Sequence, residues 1–393
     1  MTRRSITDAD VQRQRVLCRV DFNVPLRDGA IQDDSRIRAA VSTIEWLVSH
    51  GARVILCSHL GRPKGKVVDD LRLKPVADRL ADLLGIPVTS LEAITGPDVT
   101  GAVGSMADSE VVLLENLRFD PREETNDPSL ARELADLADL YVNDAFGAAH
   151  RAHASTEGVT HLIPAYIGLL MRAEIEALTK LLTGPEHPFV AIVGGAKVSD
   201  KMGVLENLLP RVDTVLIGGG MANTFLLAQG VEVGTSLIEA DLVTTASGLI
   251  AAAQAQGVEI GLPTDVVVAR SIDASAGDQV HIDSIGDDAA IFDIGSETAA
   301  QYADVIAGAR TVLWNGPLGV AENPAFAEGT ATVARAVAAA DGYTVIGGGD
   351  SVAAIQQLDL ASRIDHISTG GGASLEFLEG KTLPGIAAIP EAE

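Results

Sequence analysis

A chain of 393 residues exceeds what a single hydrophobic core usually fills, roughly 250–300 residues, so two domains are expected. With 47% hydrophobic residues, 21% charged residues and a net charge of −25, the composition is that of an ordinary globular protein, and it argues against nucleic acid or an anionic membrane as the main partner. No apolar run approaches the roughly 20 residues of a membrane span, and the opening segment, Met1–Ser5 followed by Asp8 and Asp10, lacks the apolar centre of a signal peptide. Cys18 and Cys57 sit in apolar runs and read as reduced thiols, which makes the cytoplasm the expected location.

Strand-like apolar runs alternate with helix-like segments along almost the whole chain. Val16–Phe22 predicts a strand, and Arg36–His50 a helix with Ile37, Ala40, Val41, Ile44 and Val48 on one face. Arg53–Ser58 reads as a buried strand, Pro75–Leu84 as a helix, Val111–Leu114 as a strand, Pro128–Ala138 as a helix and Tyr141–Ala145 as a strand. Glu174–Leu182 has the pattern of an amphipathic helix, after which Thr183–Pro188 breaks the chain. Beyond the break the predicted strands are Phe189–Val193, Thr214–Ile217, Val266–Ala269, Thr311–Trp314 and Tyr343–Ile346, with helices between them. Continuous rather than alternating apolar strands, separated by helices, indicate an α/β fold of two Rossmann-like domains, each a mostly parallel sheet covered by helices on both faces. The joint falls near Leu170–Pro188, through a hinge helix. Ligands in such folds bind beyond the carboxyl ends of the strands.

Charge is divided unevenly. Residues 1–173 hold 20 Lys+Arg against 25 Asp+Glu, whereas residues 174–393 hold 9 against 29. In the first half, polar residues repeatedly follow strands: Asp21 and Asn23 after the first, Ser58-His59-Leu60-Gly61-Arg62 after the next, Glu115-Asn116-Leu117-Arg118 after the third, and Asn143-Asp144 leading into His150-Arg151-Ala152-His153. Singly, each arginine or histidine reads as a surface or core residue. Together, Arg19, Arg36, Arg62, Arg118 and Arg151 with His59, His150 and His153 suggest one crevice. Arginine suits phosphate and carboxylate because its planar fork binds them bidentately and stays charged. Asp21 and Asn23 would grip hydroxyl groups, so the implied ligand is small, hydroxylated and multiply anionic.

In the second half, Gly194-Gly195-Ala196-Lys197-Val198-Ser199-Asp200-Lys201 follows a strand and is expected to open a helix, with its two lysines one helical turn apart. Glycines allow a phosphate to approach the backbone, and a helix start supplies N–H donors. Further glycine turns follow strands at Gly218–Met221, Gly347-Gly348-Gly349-Asp350-Ser351 and Thr369–Ser374. No Walker A pattern is present, since Leu375 stands where the first glycine before Gly380-Lys381-Thr382 would be required. Asp350 is the natural ligand for a nucleotide-bound Mg²⁺, which takes one or two carboxylates. Asn315-Gly316-Pro317 reads as a tight turn at the end of a strand.

The ordered set RVDFNVP, RIRAA, SHLGRP, ENLRF, YVNDAFG, HRAHAS, GGAKVSDK, GGGMANTF, WNGPLGVAE, IGGGDS and STGGGASLEFLEGK resembles the phosphoglycerate kinases, from about residue 16 to about residue 386. The resemblance implies a monomeric, hinge-bending two-domain enzyme of glycolysis that reversibly transfers a phosphoryl group from 1,3-bisphosphoglycerate to Mg-ADP, giving 3-phosphoglycerate and ATP. It implies a phosphoglycerate-binding domain over residues 1–172, with the tail 384–393 returning to it, and a nucleotide-binding domain over residues 173–383. By the same resemblance Asp21, Asn23, Arg36, His59, Arg62, Arg118 and Arg151 hold the phosphoglycerate, with Arg19, His150 and His153 completing the basic patch. Lys197 and Lys201 meet the nucleotide phosphates, and Gly195, Gly219, Asn315, Glu322 and Gly347–Ser351 line the nucleotide site, with Glu322 on the ribose and Asp350 on Mg²⁺. The chain departs from the family pattern at Ala321, Thr264, Arg270 and Ser296, all expected on the adenosine side.

The implied acceptor is a carboxylate, already deprotonated at neutral pH, so no general base is required. Catalysis then rests on in-line positioning and charge neutralisation, with Arg36, Lys197 and the amides of Gly371 and Gly372 as the candidate groups. Closure about segments near Leu170–Pro188 and Ser368–Gly372 is expected. A dinucleotide-dependent dehydrogenase would need G-x-G-x-x-G after a strand, which is absent. A non-catalytic anion-binding protein would use the arginines but not the lysine pair, the glycine turns or Asp350.

Overall fold

Five-residue runs such as Phe189–Val193, buried at every position, can satisfy their backbone only inside a sheet covered on both faces. The computed structural model describes residues 3–392 and arranges these runs in two units, one comprising the chain up to Glu176 together with the residues from Thr382 onward, the other Ala177–Lys381.

In the first unit six strands pair in parallel in the spatial order Val88–Ser90, Val111–Leu113, Arg53–Cys57, Arg15–Arg19, Leu140–Asn143, Ala165–Ile167. The helix Ser35–Ser49 buries Ile37, Ala40, Thr43, Ile44 and Leu47 against this sheet's core, while Val41 and Val48 are only partly buried. The inward stripe is therefore turned slightly from the expected one. It admits Thr43 because that hydroxyl accepts a hydrogen bond from Leu169 N at 3.0 Å. The short helix Pro384–Ala387 belongs to this unit: Gly385 N donates to Ala149 O at 2.9 Å, Asn143 Nδ2 donates to Gly385 O at 3.0 Å, and Ile389 is fully buried.

In the second unit the parallel order is Glu259–Gly261, Thr214–Ile217, Phe189–Val193, Thr311–Asn315, Tyr343–Gly347, His366–Ile367. Trp314 is fully buried in this core and donates its indole N–H to Gly316 O at 2.8 Å. Replacing such a side chain with Ala costs about 3–5 kcal/mol. One expectation fails here. Asp265–Ala269 is not part of the parallel sheet but the middle strand of a separate antiparallel one, between Asp278–His281 and Ala290–Ile294. Its connection to the next strand carries no crossover helix, which a parallel pair would need. Helix Leu169–Thr183 contains the predicted Glu174–Leu182 segment and extends it by a turn and a half at its start. Among the described residues no helix is long and apolar enough to cross a membrane.

Candidate functional site

In the first unit the arginines and histidines gather at the carboxyl ends of adjacent parallel strands. Arg36, on the first turn of its helix, donates to Asp21 Oδ2 at 2.9 Å. Arg19 is fully buried; its guanidinium donates to Ser155 Oγ at 2.8 Å and lies 3.1 Å from His59 Nδ1. An arginine only donates, so Nδ1 accepts and the His59 proton sits on Nε2. Burial, then the charges of Arg19, Arg118 and Arg36, holds His59 well below the usual histidine range, and the ring is neutral at pH 7. The 3.9 Å approach of His59 to Asp21 is therefore not an ion pair.

Asn23 and Arg118 meet on one loop: Asn23 Oδ1 accepts from Gly61 N at 2.9 Å, and Arg118 donates to Gly61 O at 2.8 Å. Arg151 donates to His150 Nε2 at 3.1 Å. Its charge, with those of Arg19 and Arg118, acts after burial to push His153 down to about 4. Arg62 is exposed on the loop that follows the strand Arg53–Cys57. Seven of the eight arginine and histidine positions singled out in the sequence, all but Arg62, thus influence one another electrostatically. Two carboxylates stand among them that the sequence pattern does not mark. Glu123 is fully buried and accepts from Ser155 N and Oγ at 3.0 and 2.5 Å, and Glu124 lies 3.2 Å from Arg118 Nε. Burial raises the Glu123 carboxyl, opposed by Arg19 and the Ser155 bonds. In sequence, Arg122-Glu123-Glu124 looks like a solvated charge run, so no local signal marks Glu123.

In the second unit the glycine turns stand together at the carboxyl edge of the parallel sheet. Gly195 N donates to Pro317 O at 2.9 Å, Met221 N to Gly195 O at 2.9 Å, and Gly219 N to Leu318 O at 2.8 Å. Gly219 has φ of +66° and a Cβ there would lie 2.8 Å from Gly195 N, Gly195 O and Pro317 O, so the crossing admits glycine alone. Beside it opens a cavity of about 310 Å³ whose wall includes Gly195, Gly219, Leu237, Phe292, Glu322 and Asp350.

Lys201 donates its ammonium to Asn315 Oδ1, and burial lowers its pKa, opposed by the charges of Asp200 and Asp350. Asn315 is itself buried at the end of its strand, with Nδ2 lacking a partner, and so does more than form a turn. Ser351 Oγ accepts from Gly316 N at 2.7 Å, which fixes the turn Gly347–Ser351 against Asn315–Pro317. The expected helical spacing of Lys197 and Lys201 is wrong. The helix begins only at Met202, and both lysines lie on the preceding loop, Lys197 exposed.

Asp350 is exposed at the start of the helix Gly349–Gln357, on the cavity wall. Among the described residues no cluster of three or more His, Cys, Asp or Glu could hold a metal unaided. One carboxylate beside a phosphate cradle fits Mg²⁺, which completes its shell with phosphate oxygens and water. Three of the departures from the family pattern lie at or beside the antiparallel sheet: Thr264 precedes its middle strand, Gln279 donates to Ser296 Oγ at 2.8 Å, and Arg270 pairs at the surface with Asp288; nothing in the structure explains Ala321.

The model of the phosphoglycerate kinase family matches residues 6–381. The phosphoglycerate kinase of Moorella thermoacetica is 59% identical over 392 residues, spanning 100% of both chains. That of Herpetosiphon aurantiacus is 58% identical over 391 residues, spanning 99% of each. The solved phosphoglycerate kinase of Coxiella burnetii is similar with a TM-score of 0.88 at 41% identity, and that of Pyrococcus horikoshii OT3 with 0.87 at 35%, each comparison covering 98% of both chains. From the basic crevice to the glycine cradle, the chain belongs to the phosphoglycerate kinase family.

Proposed function

We propose that this enzyme, a phosphotransferase with a carboxyl group as acceptor, reversibly moves the 1-phosphoryl group of 1,3-bisphosphoglycerate to Mg-ADP, yielding 3-phosphoglycerate and ATP in glycolysis. The observation that carries this reading is the cavity walled by Gly195, Gly219, Glu322 and Asp350, with Lys201 held on Asn315 at the same sheet edge. Its chemistry suits a nucleotide: apolar surface for a base, a carboxylate for ribose hydroxyls, and an ammonium with backbone amides for phosphates. The phosphoglycerate would take the arginines of the first unit, with Asp21 and Asn23 on its hydroxyl, Arg62, Arg118, Arg151 and His59 on its anionic groups, and Arg36 toward the group in transit.

The acceptor carboxylate is ionised at neutral pH, so the protein holds and orients it and abstracts no proton. Catalysis is positioning and charge neutralisation: Arg36, Lys197 and the amides of Gly371 and Gly372 neutralise the moving phosphoryl group. Mg²⁺, held by Asp350, would neutralise phosphate charge on the nucleotide. We take the enzyme to be a cytoplasmic monomer that closes about Leu170–Pro188 and Ser368–Gly372 to unite its substrates. The test is a coupled assay of ATP formation from 1,3-bisphosphoglycerate, ADP and Mg²⁺. Saturable ATP formation is expected; tight anion binding without turnover would favour a non-catalytic binding protein.

A further inference from the structure

The loop that carries Lys197 and Lys201 precedes a helix that starts only at Met202, so helical hydrogen bonding reaches it only at its last residue, where Lys201 O accepts from Leu205 N at 2.9 Å. The middle of the loop is held by a side chain forty residues away. Glu239 Oε1 accepts from Ser199 Oγ at 2.6 Å, and Oε2 accepts from Ser199 N at 3.0 Å. Burial works against ionisation of Glu239, but the Ser199 bonds, a further bond from Val198 N and the charge of Lys197 together hold its carboxyl below the usual range.

Glu239 is itself anchored. Its N–H donates to Thr224 Oγ1 at 3.1 Å, and two residues earlier Leu237 O accepts from Asn223 Nδ2 at 3.1 Å. Asn223 and Thr224 are buried on the helix Gly219–Ala228, whose first residues, Gly219 and Gly220, line the cavity. Leu237 is 54% exposed and lines the same cavity. Glu239 is half-buried, and a glutamate that water still reaches ordinarily leaves its oxygens to water or to a loose surface pair. Here both oxygens are committed to the lysine loop, at Ser199 and Val198, and the backbone leading into Glu239 is fastened to the helix that starts at the cavity wall.

We propose that Glu239 is a positioning residue for the phosphoryl transfer, and that residues 237–239 form a strap tying the lysine loop to the cavity wall. The packing of Leu237 on a bound nucleotide and the placement of Lys197 and Lys201 on its phosphates are then set together. The inference rests on the reading that this unit binds the nucleotide. Small displacements of positioned groups carry large kinetic penalties, which is why a carboxylate that touches no substrate can matter to the rate.

The test compares Glu239→Ala, Glu239→Gln and Ser199→Ala in the full-length enzyme, with steady-state kinetics in each substrate, Mg-ADP calorimetry and thermal unfolding. Glu239→Ala should lower kcat/KM for the nucleotide about tenfold or more, leave KM for 3-phosphoglycerate unchanged and weaken Mg-ADP binding. Glu239→Gln, which keeps an acceptor for Ser199 N, should recover most of the loss, and Ser199→Ala should lose about threefold. Unchanged nucleotide parameters in Glu239→Ala overturn the proposal. So does a loss shared equally by 3-phosphoglycerate, or one that Gln fails to recover while the melting temperature drops. Should Glu239→Ala not fold, Ser199→Ala decides alone, and wild-type nucleotide kinetics there overturn it. A parent enzyme that binds Mg-ADP but turns nothing over removes the functional reading, while the calorimetric comparison still judges the strap.

Discussion

The guanidinium of Arg36 donates to the carboxylate of Asp21 at 2.9 Å, joining the first turn of the helix Ser35–Ser49 to the loop that follows the strand Arg15–Arg19. Asp21 is buried and Arg36 half-buried, so the pair fixes the arginine before a substrate arrives. A pre-oriented cation at the site of charge development lowers the barrier without reorganisation.

Arg36→Ala should therefore lower kcat by roughly 10²–10³, with the affinity for Mg-ADP unchanged because the cavity proposed to take the nucleotide lies in the other unit. Steady-state kinetics paired with Mg-ADP calorimetry checks this. A near-normal kcat would remove Arg36 from the catalytic machinery.

Gly219→Ala should damage the second unit's cavity specifically. The new Cβ would meet three backbone atoms at 2.8 Å, none of which can rotate away, at a φ of +66°. Strain of this kind costs about 1–3 kcal/mol, and relief requires Gly195 or Pro317 to shift. Urea unfolding should show a loss of that order, Mg-ADP binding should weaken about tenfold or more by the lost wall geometry, and KM for 3-phosphoglycerate should hold. Unaltered Mg-ADP binding would mean that the crossing of these turns does not shape the nucleotide site.

Much of this arrangement was legible in the sequence, and the failures have physical causes. Phe189–Val193 and Thr214–Ile217 have the limits expected of them, because a continuous apolar run between breakers can be satisfied only in a covered sheet. Val266–Ala269 is equally apolar, yet pairs antiparallel, since hydrophobicity reports burial and not the direction of the neighbouring strand. The spacing of Lys197 and Lys201 suits a helix, but spacing does not decide where a helix starts; the first residue with helical geometry is Met202. Glu123 and Glu239 were unreadable for a different reason. Their partners, Ser155 and Ser199, lie 32 and 40 residues away, beyond any local periodicity.

Acid should destabilise the first unit through its buried histidines. Burial and the neighbouring arginine charges push His153 down to about 4, and His59 is also lowered. An unfolded histidine titrates near 6.5, so between about pH 6.5 and 4 the unfolded chain binds protons that the native one refuses. The stabilisation is complete above that window and is lost as the pH falls through it. Glu123, raised by burial, acts in the opposite sense, because the native state takes up its proton first. Asp144, raised by burial to about 6, acts in the same sense as Glu123, so the histidine contribution is read as a difference: from about pH 7 to 4 the urea midpoint should drop further in the parent than in His153→Gln. An identical slope in the variant would show that His153 is not one of the groups responsible.

The second unit offers a separate test at Lys201 and Asp350. Lys201 is tethered to Asn315 and feels the charge of Asp350, which stands on the cavity wall. If Asp350 holds Mg²⁺ and Lys201 meets a phosphate, the two substitutions separate by their metal dependence. Asp350→Asn removes a charge from a hard cation's shell, so the Mg²⁺ concentration for half-maximal activity should rise about tenfold or more while excess Mg²⁺ restores most of kcat. Lys201→Met removes a phosphate contact that metal cannot replace, so kcat/KM for the nucleotide should fall by about two orders of magnitude at every Mg²⁺ concentration. Titrating Mg²⁺ at saturating nucleotide distinguishes them. An Asp350→Asn enzyme with an unchanged Mg²⁺ requirement would move the metal's carboxylate elsewhere, and a Lys201→Met enzyme repaired by Mg²⁺ would make that lysine a support for Asn315 rather than a ligand of phosphate.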